Sequence, residues 1–514
     1  MGVITFGEHR WSSSDILQRV DRVAAGFQNL GVGEGDGVAI CLRNDVVYYE
    51  ASLAAGAIGA FPVQVNWHYT AADLRYIIED SGARALVVHA DLLRRLRDGI
   101  PDDVAVLSVP TPPEVRSAYA IPAADAVVEP GDLDWATWRD GFTDGPQAPS
   151  TFPSTVIYTS GTTGRPKGVT RAAFTSHQLD AMTSMFTQSY GFHLADDPTR
   201  ISTAIVGPTY HSAPNAHATF SFRAGANVAI VPRFDPEGLL QLIERERITH
   251  LNLVPIMFSR LLKLPREVRD RYDLSSLRYA GHAAAPCPPD VKRAMIDWWG
   301  PVIGEYYGAT EMGNVTLCTS QEWLDHPGTV GRVMHGAEVK VLDENGSELP
   351  AGQIGEIAGT FHGFGDFAYN NDPEKRASVD RDGLMAPGDI GYFDEDGFLY
   401  IRDRKIDMII SGGVNIYPAE IEAALHHMPE VADCAVFGIP DDDYGEAVHA
   451  VVQPRADAGD LTAEDISAFL RDRVAGYLVP RTVDFSTDLP REDSGKIFKR
   501  KLREPFWSAA GRTI

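Results

Sequence analysis

Residues 158–168 read YTSGTTGRPKG, a run that offers many backbone N–H groups, the hydroxyls of Thr159, Ser160, Thr162 and Thr163, and the cations Arg165 and Lys167. Such a composition binds phosphate. A short apolar run, 155–158, precedes it and reads as a strand feeding a glycine loop, where nucleotide phosphates usually meet an α/β sheet. A plain surface turn needs neither this length nor the paired cations. The loop also differs from the common NTPase phosphate loop, which puts Lys directly after Gly and Ser or Thr directly after Lys. Here Pro166 precedes Lys167 and Gly168 follows it.

With 514 residues, of which 44% are hydrophobic, the chain exceeds one core and calls for two or more domains. Its net charge of −25 excludes nucleic acid or an anionic membrane as a main partner, because those need a basic face. The cations of the C-terminal run Arg491, Lys496, Lys499, Arg500, Lys501 and Arg503 read, taken alone, as a solvated face. Cys41, Cys287, Cys318 and Cys434 show no short pairing, so neither a zinc cluster nor a disulfide framework is expected and the cytoplasm is the expected compartment. Residues 1–15 lack the pattern of a secretory signal, and the uncharged stretch 51–69 is too broken by Gly, Pro, Gln and Asn to span a bilayer.

Along the chain, short strands (38–42, 61–65, 85–88) alternate with helical patterns (17–30, after an N-cap offered by 12–14, and 45–59) and a capping box at Thr70 and Asp73. This alternation implies a doubly wound parallel sheet. Residues 101–150, rich in Pro, Ala and Asp, read as an irregular connection. After the loop, further strand and helix patterns run to the stretch EYYGATE at 305–311. From 331–358 and 391–401 the text turns to alternating apolar residues broken by Asp-Gly and Asn-Gly pairs, which read as antiparallel β structure. The last 110 or so residues read as a small α+β domain. The expected fold is therefore α/β: a large N-terminal domain of doubly wound sheets with a β-rich part, residues 1–403, and a small C-terminal domain, residues 404–514.

The glycine loop resembles the signature of the adenylate-forming superfamily, which includes acyl-CoA synthetases, luciferases and peptide-synthetase adenylation domains. That resemblance extends in order through YHSAP at Tyr210, YYGATE at Tyr306, PGD at Pro387, DRK at Asp403, SGGVNIYPAEIE at Ser411, GIP at Gly438, YGE at Tyr444 and SGKI at Ser494. YHSAPN and HAAAPCP look most like acyl-CoA synthetases for bulky or cyclic apolar acids.

The resemblance implies a role for each of the matching residues. Thr159, Ser160, Gly161, Thr162, Thr163, Gly164 and Lys167 would hold the β- and γ-phosphates of ATP. Thr310 would meet the α-phosphate and Glu311 would carry magnesium, although by residue type alone the pair reads as a helix cap. Asp389 and Arg404 would bind the ribose, Tyr307 would stack on adenine beside Ala284, Ala285 and Pro286, and Tyr306, Gly308 and Ile401 would complete the nucleoside site. Taken singly, Asp389 reads as a turn residue and Tyr307 as core. His211 would lie beside the acyl carboxylate, and Lys496 would bridge carboxylate and α-phosphate during adenylation. The small domain would then rotate, bringing Gly412 and Gly413 to a pantetheine channel, unless those glycines only turn the chain. Ile406, at the hinge position, and Leu478 stand where such enzymes commonly have charged residues. The expected partners are a small carboxylic acid and an acceptor, coenzyme A or an amine. A third class, a non-catalytic nucleotide-binding relative, is disfavoured by the intact Thr310, Glu311 and Lys496.

Overall fold

The computed structural model describes residues 2–143, 145, 153–159, 166–370, 372–455, 457–491 and 497–510. Among these, an eight-stranded sheet runs in the order Phe367–Tyr369, Lys167–Arg171, Val156–Thr159, Phe61–Gln64, Gly37–Cys41, Ala83–His89, Ala105–Val109 and Leu133–Asp134. It is parallel except at Lys167–Arg171, which runs antiparallel to both neighbours. The glycine loop therefore joins two antiparallel strands, with Thr159 opposite Lys167, and no helix follows it directly. The stretch 101–150 is less irregular than its composition suggests. Ala105–Val109 and Leu133–Asp134 extend the parallel sheet, the second with only two residues, too short for a period to be read.

A second sheet of nine strands carries Ile303–Ala309, Tyr279–His282, His250–Leu253, Ser202–Ile205, Asn227–Ile230 and Val3–Phe6 in parallel, with antiparallel strands at both edges. Helices Ser13–Asn29 and Val47–Ala57 lie between the two sheets. Their Ile16, Phe27, Tyr48 and Tyr49 pack in one core with Ile40 and Val87 of the first sheet and Ile205 and Val228 of the second. Burial of this apolar surface is what holds the layers together. The capping boxes of Ser12 with Asp15 and of Thr70 with Asp73 fix where two helices begin.

The alternating stretches form a six-stranded antiparallel sheet that includes Ala337–Leu342, Gly355–Phe361, Asp389–Phe393 and Leu399–Arg404. Beyond it, the hairpin Val431–Asp441 with Gly445–Pro454 packs on helices Pro418–His426 and Ala463–Arg471 around Ile421, Val436 and Ile466. Leu478 is buried in that same core, which explains an apolar residue there. Ile406 lies outside it, 43% exposed. The basic run is not uniformly solvated: Arg503 is buried and donates to the Ile406 carbonyl at 3.2 Å, and half-buried Lys499 pairs with Glu422 at 2.9 Å.

At the passage from the antiparallel sheet into this small unit, Asp403 Oδ2 accepts from the Ala419 N–H at 2.8 Å and Oδ1 from the Arg404 N–H at 2.7 Å. Burial pushes the Asp403 carboxyl up to about 6, against the opposing pull of Lys499. A carboxyl raised in the fold holds a proton that the unfolded chain has released. Its contribution to stability is complete below about pH 4 and is lost as pH rises through about 6. The stability of the native chain relative to Asp403→Asn should therefore fall by on the order of 2 kcal/mol across that window, measured by urea unfolding. Parallel pH profiles would remove Asp403 as the source.

Candidate active site

Three sheets converge on one cluster at the carboxyl ends of the parallel strands, the position at which open α/β sheets bind ligands. The antiparallel sheet contributes Asp389 and Arg404, which face each other across their strand pair. Arg404 Nε donates to Asp389 Oδ1 at 3.2 Å. From the nine-stranded sheet, the Tyr307 hydroxyl donates to Asp389 Oδ2 at 2.7 Å. Burial, and then Asp389 itself, hold the Tyr307 phenol well above its ordinary range, so it remains a neutral donor. Ile401 sits half-buried in the apolar cluster that includes Tyr307. Asp389, Tyr307 and Arg404, expected together at a nucleoside, are thus in direct contact.

Tyr307 is followed by a tight hairpin. A bulge separates Tyr307 from Gly308, and a Cβ at Gly308 would lie 2.2 Å from the Gly313 carbonyl oxygen, so only glycine lets the two strands close. Thr310 and Glu311 occupy the turn of this hairpin, not the start of a helix. Thr310 Oγ1 lies 3.3 Å from Ser212 Oγ, next to His211, which caps the helix Ser212–Arg223 and packs its ring on Tyr210. Glu311 Oε1 accepts from the Tyr369 hydroxyl at 2.8 Å. Its other oxygen has no hydrogen-bond partner among the described residues and is the kind of hard anionic donor that suits magnesium.

Two residues not singled out in the sequence complete this arrangement. Arg171, four positions after Lys167, reaches the carbonyls of Thr310 and Glu311, the latter at 3.2 Å, and its Nε donates to the Gly365 carbonyl at 2.9 Å. Burial lowers its guanidinium to about 10, opposed by Glu311 and Asp366. Tyr369 links Glu311 to the edge of the first sheet, with Lys167 Nζ 5.9 Å from its ring centre. Lys167 also pairs with Asp372 at 2.9 Å, and its ammonium carries three N–H donors in all. The base of the glycine loop is pinned by the Tyr158 hydroxyl on Asp80 at 2.6 Å and by the Asn370 N–H on the Gly168 carbonyl at 2.8 Å.

Ala284, Ala285 and Pro286 follow the strand Tyr279–His282, and Ala284 holds a left-handed φ of 74°, a strain that a non-glycine residue keeps only when its surroundings impose it. Tyr306 points to the other side of its strand, into a core with Tyr190 and Phe192, where its hydroxyl donates to Asn252 at 2.9 Å. It does not join the Asp389 cluster. Gly412 and Gly413, with φ of 58° and 81°, form the two-residue turn between Ile409–Ser411 and Val414–Ile416. Both central positions are left-handed, as a tight hairpin of this kind requires. Ser160, Gly161, Thr162, Thr163, Gly164, Lys496 and the side chain of Thr159 lie outside the described residues.

The chain matches the family of AMP-binding enzymes over residues 2–360 and the AMP-binding enzyme C-terminal domain over residues 420–496. It belongs to this family, the adenylate-forming enzymes. A feruloyl-CoA synthase of Amycolatopsis sp is 34% identical over 500 residues, with 96% of this chain and 93% of the relative covered. A 2-succinylbenzoate–CoA ligase of Bacillus licheniformis is 30% identical over 501 residues, covering 96% and 95%. Among solved structures, an amide bond synthetase from Marinactinospora thermotolerans superposes with a TM-score of 0.82 at 28% identity, covering 98% of this chain and 97% of that one. The ATP-bound MatB of Rhodopseudomonas palustris gives 0.80 at 29% identity, covering 98% and 96%. No helix among the described residues is long and apolar enough to cross a membrane.

Proposed function

We propose that this protein is an ATP-dependent acid ligase that activates an apolar, bulky or cyclic carboxylic acid as its acyl-adenylate and passes the acyl group to coenzyme A. The observation that carries this reading is the contact set of Asp389, Tyr307 and Arg404 beside the Thr310–Glu311 turn, in a chain whose relatives are named as CoA ligases of ferulate and succinylbenzoate. The proposed division is residues 1–403 as the adenylating domain and 404–514 as the mobile one. Four free cysteines fit a reducing compartment, the cytoplasm.

In the proposed reaction the substrate carboxylate attacks the α-phosphorus of ATP, an O–P bond forms, the bond to the bridging oxygen breaks, and pyrophosphate leaves. Catalysis of such a step is positioning plus neutralisation of phosphate charge. Asp389 accepts from the ribose hydroxyls, Arg404 donates to the same sugar, and Tyr307 and the loop 284–286 enclose adenine. Residues 159–164 and Lys167 take the outer phosphates, Thr310 the α-phosphate, and His211 the acyl carboxylate. Glu311 would hold magnesium, which when bound supplies charge neutralisation at the phosphates. Arg171 holds the Thr310–Glu311 turn by its backbone carbonyls and makes no contact that ties up the side chains of Thr310 and Glu311. Lys496 bridges carboxylate and α-phosphate. Lys496→Ala should lower acyl-adenylate formation about a hundredfold and leave thioester formation from supplied acyl-adenylate far less affected. Equal loss in both half-reactions would contradict this role.

The second reading, an amide ligase, is favoured by the amide bond synthetase among the structural neighbours and by the exposed Ile406 at the hinge position. Mass identification of products from acid and ATP with coenzyme A, with an amine, and with both decides between them: dominant thioester supports the first reading, and amide at low amine concentration without coenzyme A supports the second. Gly413 offers a sharper probe than Gly412, where a large side chain is strained by φ and meets Tyr444. A Cβ at Gly413 meets nothing within 4 Å, and Asn tolerates its left-handed φ. If pantetheine passes here, Gly413→Asn slows thioester release and spares pyrophosphate release. Unchanged thioester release would leave the glycines a turn and nothing more.

A further inference from the structure

The amino ends of the parallel strands, opposite the site described above, border a cavity of about 520 Å³, within the size range of small-ligand pockets. It runs under the starts of Val3–Phe6, Ser202–Ile205 and Asn227–Ile230 and up to the residues preceding His250 and Tyr279. Four guanidinium residues line it, Arg10, Arg200, Arg247 and Arg278, against the single carboxylate of Glu246. Arg10 is spent on Glu246 at 2.7 Å, and Arg247 reaches outside the lining to Asp273 at 2.6 Å. Arg278 donates through Nη1 to the carbonyls of Ser275 and Leu277 at 2.8 and 2.9 Å and meets no carboxylate among the described residues. Arg200 has no side-chain hydrogen bond or ion pair among them. Asn227 Oδ1 accepts from the Val3 N–H at 3.0 Å, which leaves its NH₂ as a donor.

In a chain of net charge −25, Arg200 and Arg278, which share this lining without an ion pair among the described residues, stand against the prevailing field, with Asp197 the acidic group near Arg200. The hydroxyls of this edge are satisfied without these two guanidinium groups, Ser202 on the Glu246 carbonyl at 3.1 Å and Ser276 on the Ile248 carbonyl at 2.8 Å. Arg247 moreover ends its helix with a left-handed φ of 49°, a place more often given to glycine. Guanidinium forks recognise oxyanions in pairs, and two of them with free donors across one cavity suit an anion whose charged oxygens are spread over linked centres.

We infer that this cavity is a second anion site, one that takes an oligophosphate group through Arg200 and Arg278. The same chemistry is offered by free inorganic pyrophosphate and by the phosphate end of a nucleotide.

Hydrogen exchange of the full-length protein, read by mass over residues 199–203 and 276–280, separates this cavity from the active site at the other end of the strands. Inorganic pyrophosphate and ADP are titrated separately at low ionic strength, against both the native chain and the double variant Arg200→Ser/Arg278→Ser. Both positions are exposed, so the variant should fold, and its melting temperature without ligand verifies that. The expected result is slowed exchange at these segments with at least one of the two probes, with the affinity weakened about tenfold or more in the variant. Protection by pyrophosphate assigns the free ion as ligand, and protection by ADP alone assigns the nucleotide. No protection with either probe, or the same protection in the folded variant, overturns the inference.

Discussion

Glu311→Gln is expected to lower the rate of acyl-adenylate formation about a thousandfold while the melting temperature stays close to that of the native chain. Glutamine keeps the size of the side chain and, through its carbonyl oxygen, the hydrogen bond that Glu311 Oε1 accepts from Tyr369. The turn itself is held from behind by Arg171 on the backbone carbonyls of Thr310 and Glu311, which the substitution does not touch. What is lost is the negative charge, and with it the oxygen donor proposed for magnesium. Initial rates of pyrophosphate release across a magnesium titration measure the effect. Activity that is unchanged at limiting magnesium would exclude Glu311 as the ligand.

Asp389→Ala should reduce kcat/KM for ATP by a factor of about 10² to 10³, since one carboxylate is the acceptor for both Tyr307 and Arg404. Its removal leaves the buried Tyr307 hydroxyl unsatisfied and the Arg404 guanidinium without its carboxylate. Two consequences are therefore mixed, a loosened site and a lost ribose contact. Comparison with 2′,3′-dideoxy-ATP separates them. The native enzyme should discriminate strongly against the dideoxy nucleotide, and the variant should treat the two nearly alike. If the variant loses equally with both nucleotides, the ribose contact lies elsewhere.

Much of this site was legible because its parts are local. The capping box at Thr70 and the alternating apolar residues of 331–358 each carry their reason within a few positions of sequence. Asp389, Tyr307 and Arg404 came from resemblance, since nothing in a lone Asp or Tyr states that two different sheets will bring them within hydrogen-bonding distance. Arg171 and Tyr369 were missed for the same reason. Their partners Thr310 and Glu311 lie far away in sequence, and an arginine at the end of a strand gives no sign that it will be buried against carbonyls. Lys499 and Arg503 were hidden inside a charge run whose ordinary reading is solvent. Only the carboxylates of Glu422 and Asp403 and the Ile406 carbonyl, supplied by other segments, show why they are drawn inward. The turn at Thr310 had the composition of a helix cap because Thr and Glu serve either purpose, and the deciding residue, Gly313 with φ of 78°, belongs to the returning strand.

Exchange of labelled pyrophosphate into ATP tests most directly whether this chain forms acyl-adenylates. The purified protein is supplied with ATP, magnesium, labelled pyrophosphate and, one at a time, aromatic, cyclic and long-chain acids. Exchange that depends on an apolar acid, needs no coenzyme A and is abolished by Glu311→Gln is the predicted result. Absence of acid-dependent exchange across the whole panel, or release of ADP and phosphate in place of AMP and pyrophosphate, would contradict it.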